Sequence, residues 1–289
     1  MKVYDLINYL CYPDCRGDLI QRSENLLCVK CNREYKVYND ICVELLPSKM
    51  FFRVGKNEVE IRAIDSYKKI FGEPFIWKDN PSLWGLDIPE KYVNKFKKHK
   101  HVLYKLIPEK IKMSIDVSAG SGRFSYSLID RANIMVFCDL SVDSCVYLSQ
   151  KIEKEGVKNA LVVRCDYLSI PFKDKIFDLV LCNDTLIYGY EHEIKLISSI
   201  YKILSPDGIA ILDFANKYHH LFLGFWHKPY TVGYSKKEME NMLRKIGFSN
   251  MEALPLYYDL AKDLDEQSIL SRIIKIILPP TRYIWKVEK

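Results

Sequence analysis

From Ile111 onward the apolar positions fall into short runs separated by amphipathic stretches. Lys112–Val117, Ile134–Cys138, Ala160–Arg164, Phe177–Cys182 and Ile209–Phe214 read as strands. Between them, helical spacing runs from the glycine turn after Val117 through Ile129, over Val142–Lys154, and over Ile194–Leu204, where Ser205-Pro206-Asp207-Gly208 stops it. A further helix is predicted over Ser235–Ile246, with Ser235 as its cap and Gly247 as its stop. Strands alternating with helices predict an α/β fold, a mostly parallel sheet covered on both faces. The pattern from Leu254 onward is less regular.

The N-terminal part reads differently. Residues 1–47 are short, turn-rich and cysteine-rich. Residues 48–107 read mostly as helices: Ile61, Ile64, Tyr67, Lys68 and Phe71 keep a helical spacing until Gly72 and Pro74 end it. The organisation predicted is a ribbon (1–47), a helical linker and substrate cap (48–107), a core (108–260) and a tail (261–289). With 289 residues, 48% of them hydrophobic, the chain can bury one large core and one small one.

Cysteine usage adds chemistry to the first segment. Cys11 and Cys15, then Cys28 and Cys31, are two pairs on tight turns separated by a hairpin-length insert. Four thiolates so placed can form a structural zinc site, the staple that so small a domain needs. Nine cysteines without a secretory signal argue against a disulfide framework and place the chain in the cytoplasm. The segment Cys11–Pro47, with Gly17-Asp18-Leu19 after the first pair and Arg33-Glu34-Tyr35-Lys36-Val37 after the second, resembles the zinc ribbon of the small activator subunit of tRNA and rRNA methyltransferases. It departs from that family in having three residues, not two, inside the first pair.

The second centre is Ser114-Ile115-Asp116-Val117-Ser118-Ala119-Gly120-Ser121-Gly122, at a strand-to-helix turn. Glycines there let the backbone approach a ligand. Asp139 ends the next strand, where a carboxylate can accept two ribose hydroxyls. Asp166 and Tyr167 follow the third strand, where one can accept from an adenine amino group and the other pack on the ring; Asn183 ends the fourth. The series resembles the class I S-adenosylmethionine-dependent methyltransferase core over residues 108–250, most closely in Ile176–Asn183 and the Leu204–Ile209 turn. A nicotinamide-binding Rossmann enzyme is the competitor, and the downstream motifs fit it poorly. The resemblance implies a Rossmann-like seven-stranded sheet ending in an antiparallel hairpin. It places Asp116, Gly120 and Gly122 around the methionine part, Asp139 at the ribose, and Asp166 and Tyr167 at the adenine, with Ser118, Leu140 and Asn183 completing the cofactor-binding set. Ser118 stands where the family has the first glycine of the loop.

Methyl transfer from a sulfonium needs collinear placement more than a proton-transfer group, so no residue announces itself as catalytic. Tyr188 and His220, after the fourth and fifth strands, are the candidates, with Asp184, His219 and His227 nearby. Aromatic residues in 72–90 and 216–234 suggest walls for a small-molecule or lipid-like acceptor. Residues 91–112, with eight lysines against one glutamate, are the feature an RNA partner would use; a solvated amphipathic helix is the plainer reading. A net charge of +6 over the chain does not decide between them. A non-catalytic binding partner that keeps the fold is a third reading, against which the intact glycine turn and Asp139 speak. The tail is too short to span a bilayer. Its apolar face with Arg272, Lys275, Arg282 and Trp285 could lie in a membrane interface or dock on the core.

Overall fold

The computed structural model describes residues 1–54, 57–61, 90–186, 190–222, 233–257 and 279–289. Its centre is a sheet of eleven strands. The ribbon supplies β1 (Leu19–Arg22), β2 (Asn25–Cys28), β3 (Glu34–Tyr38) and β4 (Cys42–Glu44). A separate hairpin, β5 (Met50–Val54) and β6 (Asn57–Ile61), follows. The core contributes β7 (Ile111–Val117), β8 (Ala132–Asp139), β9 (Ala160–Arg164), β10 (Phe177–Leu186), β11 (Leu204–Ala215), β12 (Met251–Leu256) and β13 (Arg282–Glu288).

The order across the sheet is β1-β2-β3-β4-β9-β8-β7-β10-β11-β13-β12. Strands β9, β8, β7, β10 and β11 are parallel, and β13 runs antiparallel to both β11 and β12. This is the Rossmann-like α/β architecture expected from the sequence. The order reverses at β7, whose neighbours are β8 and β10, and ligands bind such sheets at the carboxyl ends beside the reversal. Both faces are covered, so the central strands are apolar almost throughout; β9 is buried at every position.

Among the described residues the α-helices are α1 (Glu90–Leu106), α2 (Val142–Lys154), α3 (Tyr190–Ile203), α4 (Lys217–Phe222) and α5 (Lys236–Ile246). Leu196, Ile197 and Ile200 of α3 and Met239, Met242 and Leu243 of α5 pack on one face of the sheet, together with Val3 and Leu6 of the N-terminal 3-10 helix. Phe96, Leu103 and Leu106 of α1 and Leu148 and Ile152 of α2 pack on the other. The lysine-rich helix α1 is therefore docked through its apolar side.

Ribbon and core share this one sheet. Strand β4 lies parallel to β9, with Cys42, Val43 and Glu44 opposite Val162, Val163 and Arg164. An open parallel edge would present unpaired backbone groups to solvent, and the ribbon covers it.

Three sequence expectations are corrected. Residues 50–54 and 57–61, read as helical, form the antiparallel β5–β6 hairpin, with Phe52 opposite Val59 in its register. The helix expected after the glycine turn is only a 3-10 segment, Tyr126–Arg131. The end of the tail is a core strand: Trp285 is 2% exposed and pairs with Leu212 and Ala253. A membrane-interface role for Trp285 is thereby overturned, because the sheet has taken the ring. Arg272, Lys275 and the helical pattern of residues 62–71 lie outside the described residues. No helix among the described residues is long and apolar enough to cross a membrane.

Candidate functional site

Four of the predicted polar residues arrive at adjacent carboxyl ends. Asp116 is the penultimate residue of β7, Asp139 the last of β8, Asp166 follows β9, and Asn183 lies in the C-terminal half of β10. All four are buried. The turn between Val117 and Tyr126 closes over them. Its backbone is left-handed at Ser118 (φ 64°), Gly120 (φ 55°) and Gly122 (φ 74°). The two glycines serve different ends. A Cβ on Gly120 would meet nothing within 4 Å, so this residue faces open space where a ligand can approach. A Cβ on Gly122 would lie 3.0 Å from Leu148, so this glycine lets the turn pack on α2.

Asp139 organises the turn. Its carboxylate accepts from Gly120 N–H at 2.7 Å and from Ser141 N–H at 2.8 Å. An ionised carboxylate has about four lone-pair sites, so capacity remains for a diol. Leu140, next to it, is held through its carbonyl, which accepts from Arg164 Nε at 3.0 Å. Asp116 accepts from Ser125 Oγ. Burial, with the neighbouring Asp139 charge adding to it, pushes its carboxyl up to about 7. Asp166 accepts from Leu168 N–H at 2.9 Å, capping the 3-10 turn that carries Tyr167, and burial pushes its carboxyl up to about 6. Three buried acids in one crevice favour a cationic ligand, whose charge would offset their desolvation.

Asn183 is 5% exposed, and both ends of its side-chain amide lack a hydrogen-bond partner among the described residues. The Ser121 hydroxyl, in the glycine turn, is in the same condition. Leaving such groups unsatisfied costs roughly 1–3 kcal/mol each, so the site is built for a partner that supplies donors and acceptors. S-adenosylmethionine fits: it brings a cationic sulfonium and ammonium, a ribose diol and an adenine amino group. When bound it supplies an activated methyl group. Asp116, Asp139, Asp166 and Asn183 are the residues that would hold and orient it and exclude water.

Sequence reasoning named Asp184 and Arg282 but missed the two clusters beside this crevice. On one face Arg282 Nη1 reaches Asp184 Oδ1 and Asp213 Oδ2, each at 2.5 Å, and Arg123 pairs with Asp184. His99 from α1 lies 3.7 Å from Asp213, fully buried, and burial lowers its pKa. On the other face Tyr234, whose N–H donates to the Ala215 carbonyl at the end of β11, donates its hydroxyl to Glu193 in the first turn of α3, and both residues are buried. His192 meets the Tyr167 ring edge-on at 6.4 Å. None belongs to a motif; only their charge in otherwise apolar surroundings marked them. Of the catalytic candidates, Tyr188, the His220 side chain and His227 lie outside the described residues. His219 is buried with Nδ1 3.0 Å from the Pro279 carbonyl, a packing role.

In the ribbon, Cys15, Cys28 and Cys31 bring their sulfurs within 4.8 Å of one another. The Cys15–Cys28 separation is 3.6 Å. A tetrahedral zinc with bonds of about 2.3 Å sets its sulfurs about 3.8 Å apart, so the three fit the metal. Cys11, expected as the fourth ligand, is not in the cluster. It lies in an antiparallel bridge with Asp18, its N–H bonded to the Pro171 carbonyl, one residue before the turn that carries Cys15. Burial pushes its thiol up to about 11.

Comparison with known proteins agrees with this geometry. A family model described as a methyltransferase domain matches residues 115–208. Two uncharacterized proteins of Methanocaldococcus jannaschii are similar in sequence. One, MJ1123, is 25% identical over 197 residues, covering 63% of this chain and 89% of its own length; the other, MJ0638, is 28% identical over 195 residues, covering 65% and 78%. Among solved structures, a chain of the complex between the Haloferax volcanii Trm112 methyltransferase activator and a methyltransferase superposes with TM-score 0.56 at 14% identity, covering 73% of this chain and 97% of that one. A SAM-dependent methyltransferase of Thermotoga maritima superposes with TM-score 0.53 at 16% identity, covering 69% and 91%. Residues 115–208 thus match a methyltransferase domain, and the fold that contains them is the one seen in S-adenosylmethionine-dependent methyltransferase structures.

Proposed function

We propose that the methyl acceptor is a small or lipid-like molecule, taken up over the carboxyl ends of β10 and β11. The observation that carries this reading is the group of buried polar side chains there. Asn183, His192, Glu193 and Tyr234 are all less than 8% exposed, beside apolar Phe214. An enclosed site with a few convergent polar groups suits a compact acceptor. Glu193, hydrogen-bonded to Tyr234, is the group placed to orient an acceptor hydroxyl or amine and to hold its proton. Tyr188, residues 72–90 and the 216–234 segment would complete the walls.

In this reading the ribbon acts in cis. The Haloferax volcanii methyltransferase is found in complex with a separate Trm112 activator chain. Here a ribbon resembling that activator sits in the same chain, and its β4 pairs with β9. An RNA acceptor is the competing reading, through the outer lysines of α1. A non-catalytic role is a weaker one, because the intact glycine turn and Asp139 speak against it.

The test is methyl transfer from labelled cofactor to host RNA, lipid extract and metabolite fractions, for wild type and Glu193→Gln. Transfer to lipid or metabolites, lost in Glu193→Gln with cofactor affinity kept, supports the proposal. RNA binding that falls steeply with salt and disappears on neutralising Lys95, Lys97, Lys98 and Lys100 overturns it.

A further inference from the structure

The two turns that carry the ribbon cysteines are built alike. In the second, Cys28 N–H donates to the Arg33 carbonyl and Asn32 N–H to the Cys28 carbonyl, both at 2.9 Å. In the first, Tyr12 N–H donates to the Gly17 carbonyl and Arg16 N–H to the Tyr12 carbonyl, both at 2.9 Å. Left-handed residues close both turns at the same place, Asn32 with φ 57° and Arg16 with φ 55°. Superposing the hydrogen bonds puts Cys31 on Cys15 and Cys28 on Tyr12. The first turn therefore has its metal-facing corner at Tyr12, and Cys11 is out of register by one residue.

Two observations keep Tyr12 from replacing the lost sulfur. Its hydroxyl is engaged with Asp14 and Arg33. Its ring, 3% exposed, packs on Tyr35 with centroids 5.2 Å apart. Meanwhile Gly17 lies close under the sulfurs, where a Cβ would come within 2.8 Å of Cys28 Sγ and 3.2 Å of Cys15 Sγ. The cradle is thus shaped for the three sulfurs, and Cys31, on its outer side, is exposed.

We propose that the ribbon binds one divalent metal ion through the three thiolates of Cys15, Cys28 and Cys31, with the fourth coordination position open to an exchangeable outside ligand. Zinc takes four ligands; sites with three protein ligands keep the last for water or another small donor. Three thiolates on a divalent ion leave one net negative charge. A neutral donor such as water or an imidazole, or a soft donor such as a small thiol, is the class of ligand that completes it. This ribbon then differs from a closed four-cysteine staple: its metal is accessible and can be removed or shared.

The experiment uses the full chain loaded with cobalt(II), whose visible absorption reports its ligand set. Elemental analysis counts metal per chain alongside. Cys11→Ser is expected to keep one metal and an unchanged spectrum, whereas Cys31→Ser loses most of its affinity. Adding imidazole or a monothiol is expected to shift the wild-type bands. Tyr12→Cys, which restores the missing corner, is expected to abolish that shift and to slow removal by a chelator at least tenfold. Loss of metal in Cys11→Ser overturns the proposal. So does a wild-type spectrum indifferent to both added ligands, or a fully reduced wild-type protein that takes up no cobalt. If Tyr12→Cys fails to fold, Cys11→Ser and the ligand titration still decide.

Discussion

Glu44 of the ribbon and Arg164 of the core stand opposite one another across the β4–β9 pairing, and their side chains meet at 2.6 Å. The same guanidinium donates through Nε to the Leu140 carbonyl, next to Asp139. One buried arginine thus joins the ribbon to the cofactor turn. Arg164 is 6% exposed, so removing its counter-charge leaves a poorly solvated cation. Glu44→Ala is expected to cost about 1–3 kcal/mol of stability, discounted because the Glu44 carboxylate is a third exposed. It should also weaken cofactor binding by roughly three- to tenfold. Thermal denaturation and calorimetry read the two effects. Unchanged affinity would show that the ribbon does not reach the cofactor turn.

Asp139→Ala removes the acceptor for two backbone N–H groups and, in the proposed cofactor site, for the ribose. Charge-assisted hydrogen bonds contribute about 1.5–3 kcal/mol each, so cofactor affinity should fall at least tenfold, with a smaller loss for Asp139→Asn. Calorimetric titration of both variants checks this. Equal affinity in Asp139→Ala would remove Asp139 from the site.

Ser118 holds a left-handed backbone that costs a side-chain-bearing residue roughly 1–2 kcal/mol. Ser118→Gly relieves that strain and loses part of the gain to unfolded-state entropy, for a net stabilisation of up to about 1 kcal/mol. Denaturant unfolding measures it. A destabilised Ser118→Gly would mean that the serine side chain makes a contact worth more than the strain.

Asp116 gives a pH signature. The folded protein holds a proton on this carboxyl up to about pH 7, whereas the unfolded chain releases it near 3.8. Between those values the folded state binds more protons, so the contribution of Asp116 to stability falls as pH rises from about 4 to about 7 and is level above. Burial raises Asp166 in the same direction, to about 6. Asp116→Asn should flatten this part of the profile of Tm against pH. A bound cation favours the ionised acid, so cofactor binding near pH 6.5 should release protons, seen by calorimetry in buffers of different ionisation enthalpy. Identical profiles for wild type and Asp116→Asn would contradict the assignment.

The core was legible wherever a strand is buried on both faces. Such strands read as plain apolar runs, and Ala160–Arg164 appears with the bounds expected. The glycine turn and its acids were legible because their spacing follows from the strand–turn geometry. What escaped has physical reasons. Strand β13 alternates poorly, since Arg282 points into a charge cluster while Trp285 fills the core, so neither period stands out. The β5–β6 hairpin carries charges where a helix would carry its wet face. Cys11 was misread because a cysteine pair is recognised by spacing alone, and one residue of register is invisible until the hydrogen bonds of the turn are seen. His99 and Glu193 meet Asp213 and Tyr234 across long stretches of chain, where no local pattern reaches.

The pairing of β4 with β9 also has a kinetic side. Glu44 and Arg164 are 120 residues apart, so the ribbon emerges long before the edge it will cover. Until β9 forms, β4 is a bare strand end, and until β4 docks, β9 is a bare edge of a parallel sheet. Contacts this distant in sequence form slowly, because the loop between them must be ordered first. Docking of the ribbon should therefore be a late step in folding, later than the β7–β8 pairing, whose partners are close in sequence. During that interval a second copy of the chain could offer its own β4 to the waiting β9. Exchange of ribbons between copies is the misfolding route that this architecture leaves open, and high protein concentration during refolding is the condition that would reveal it.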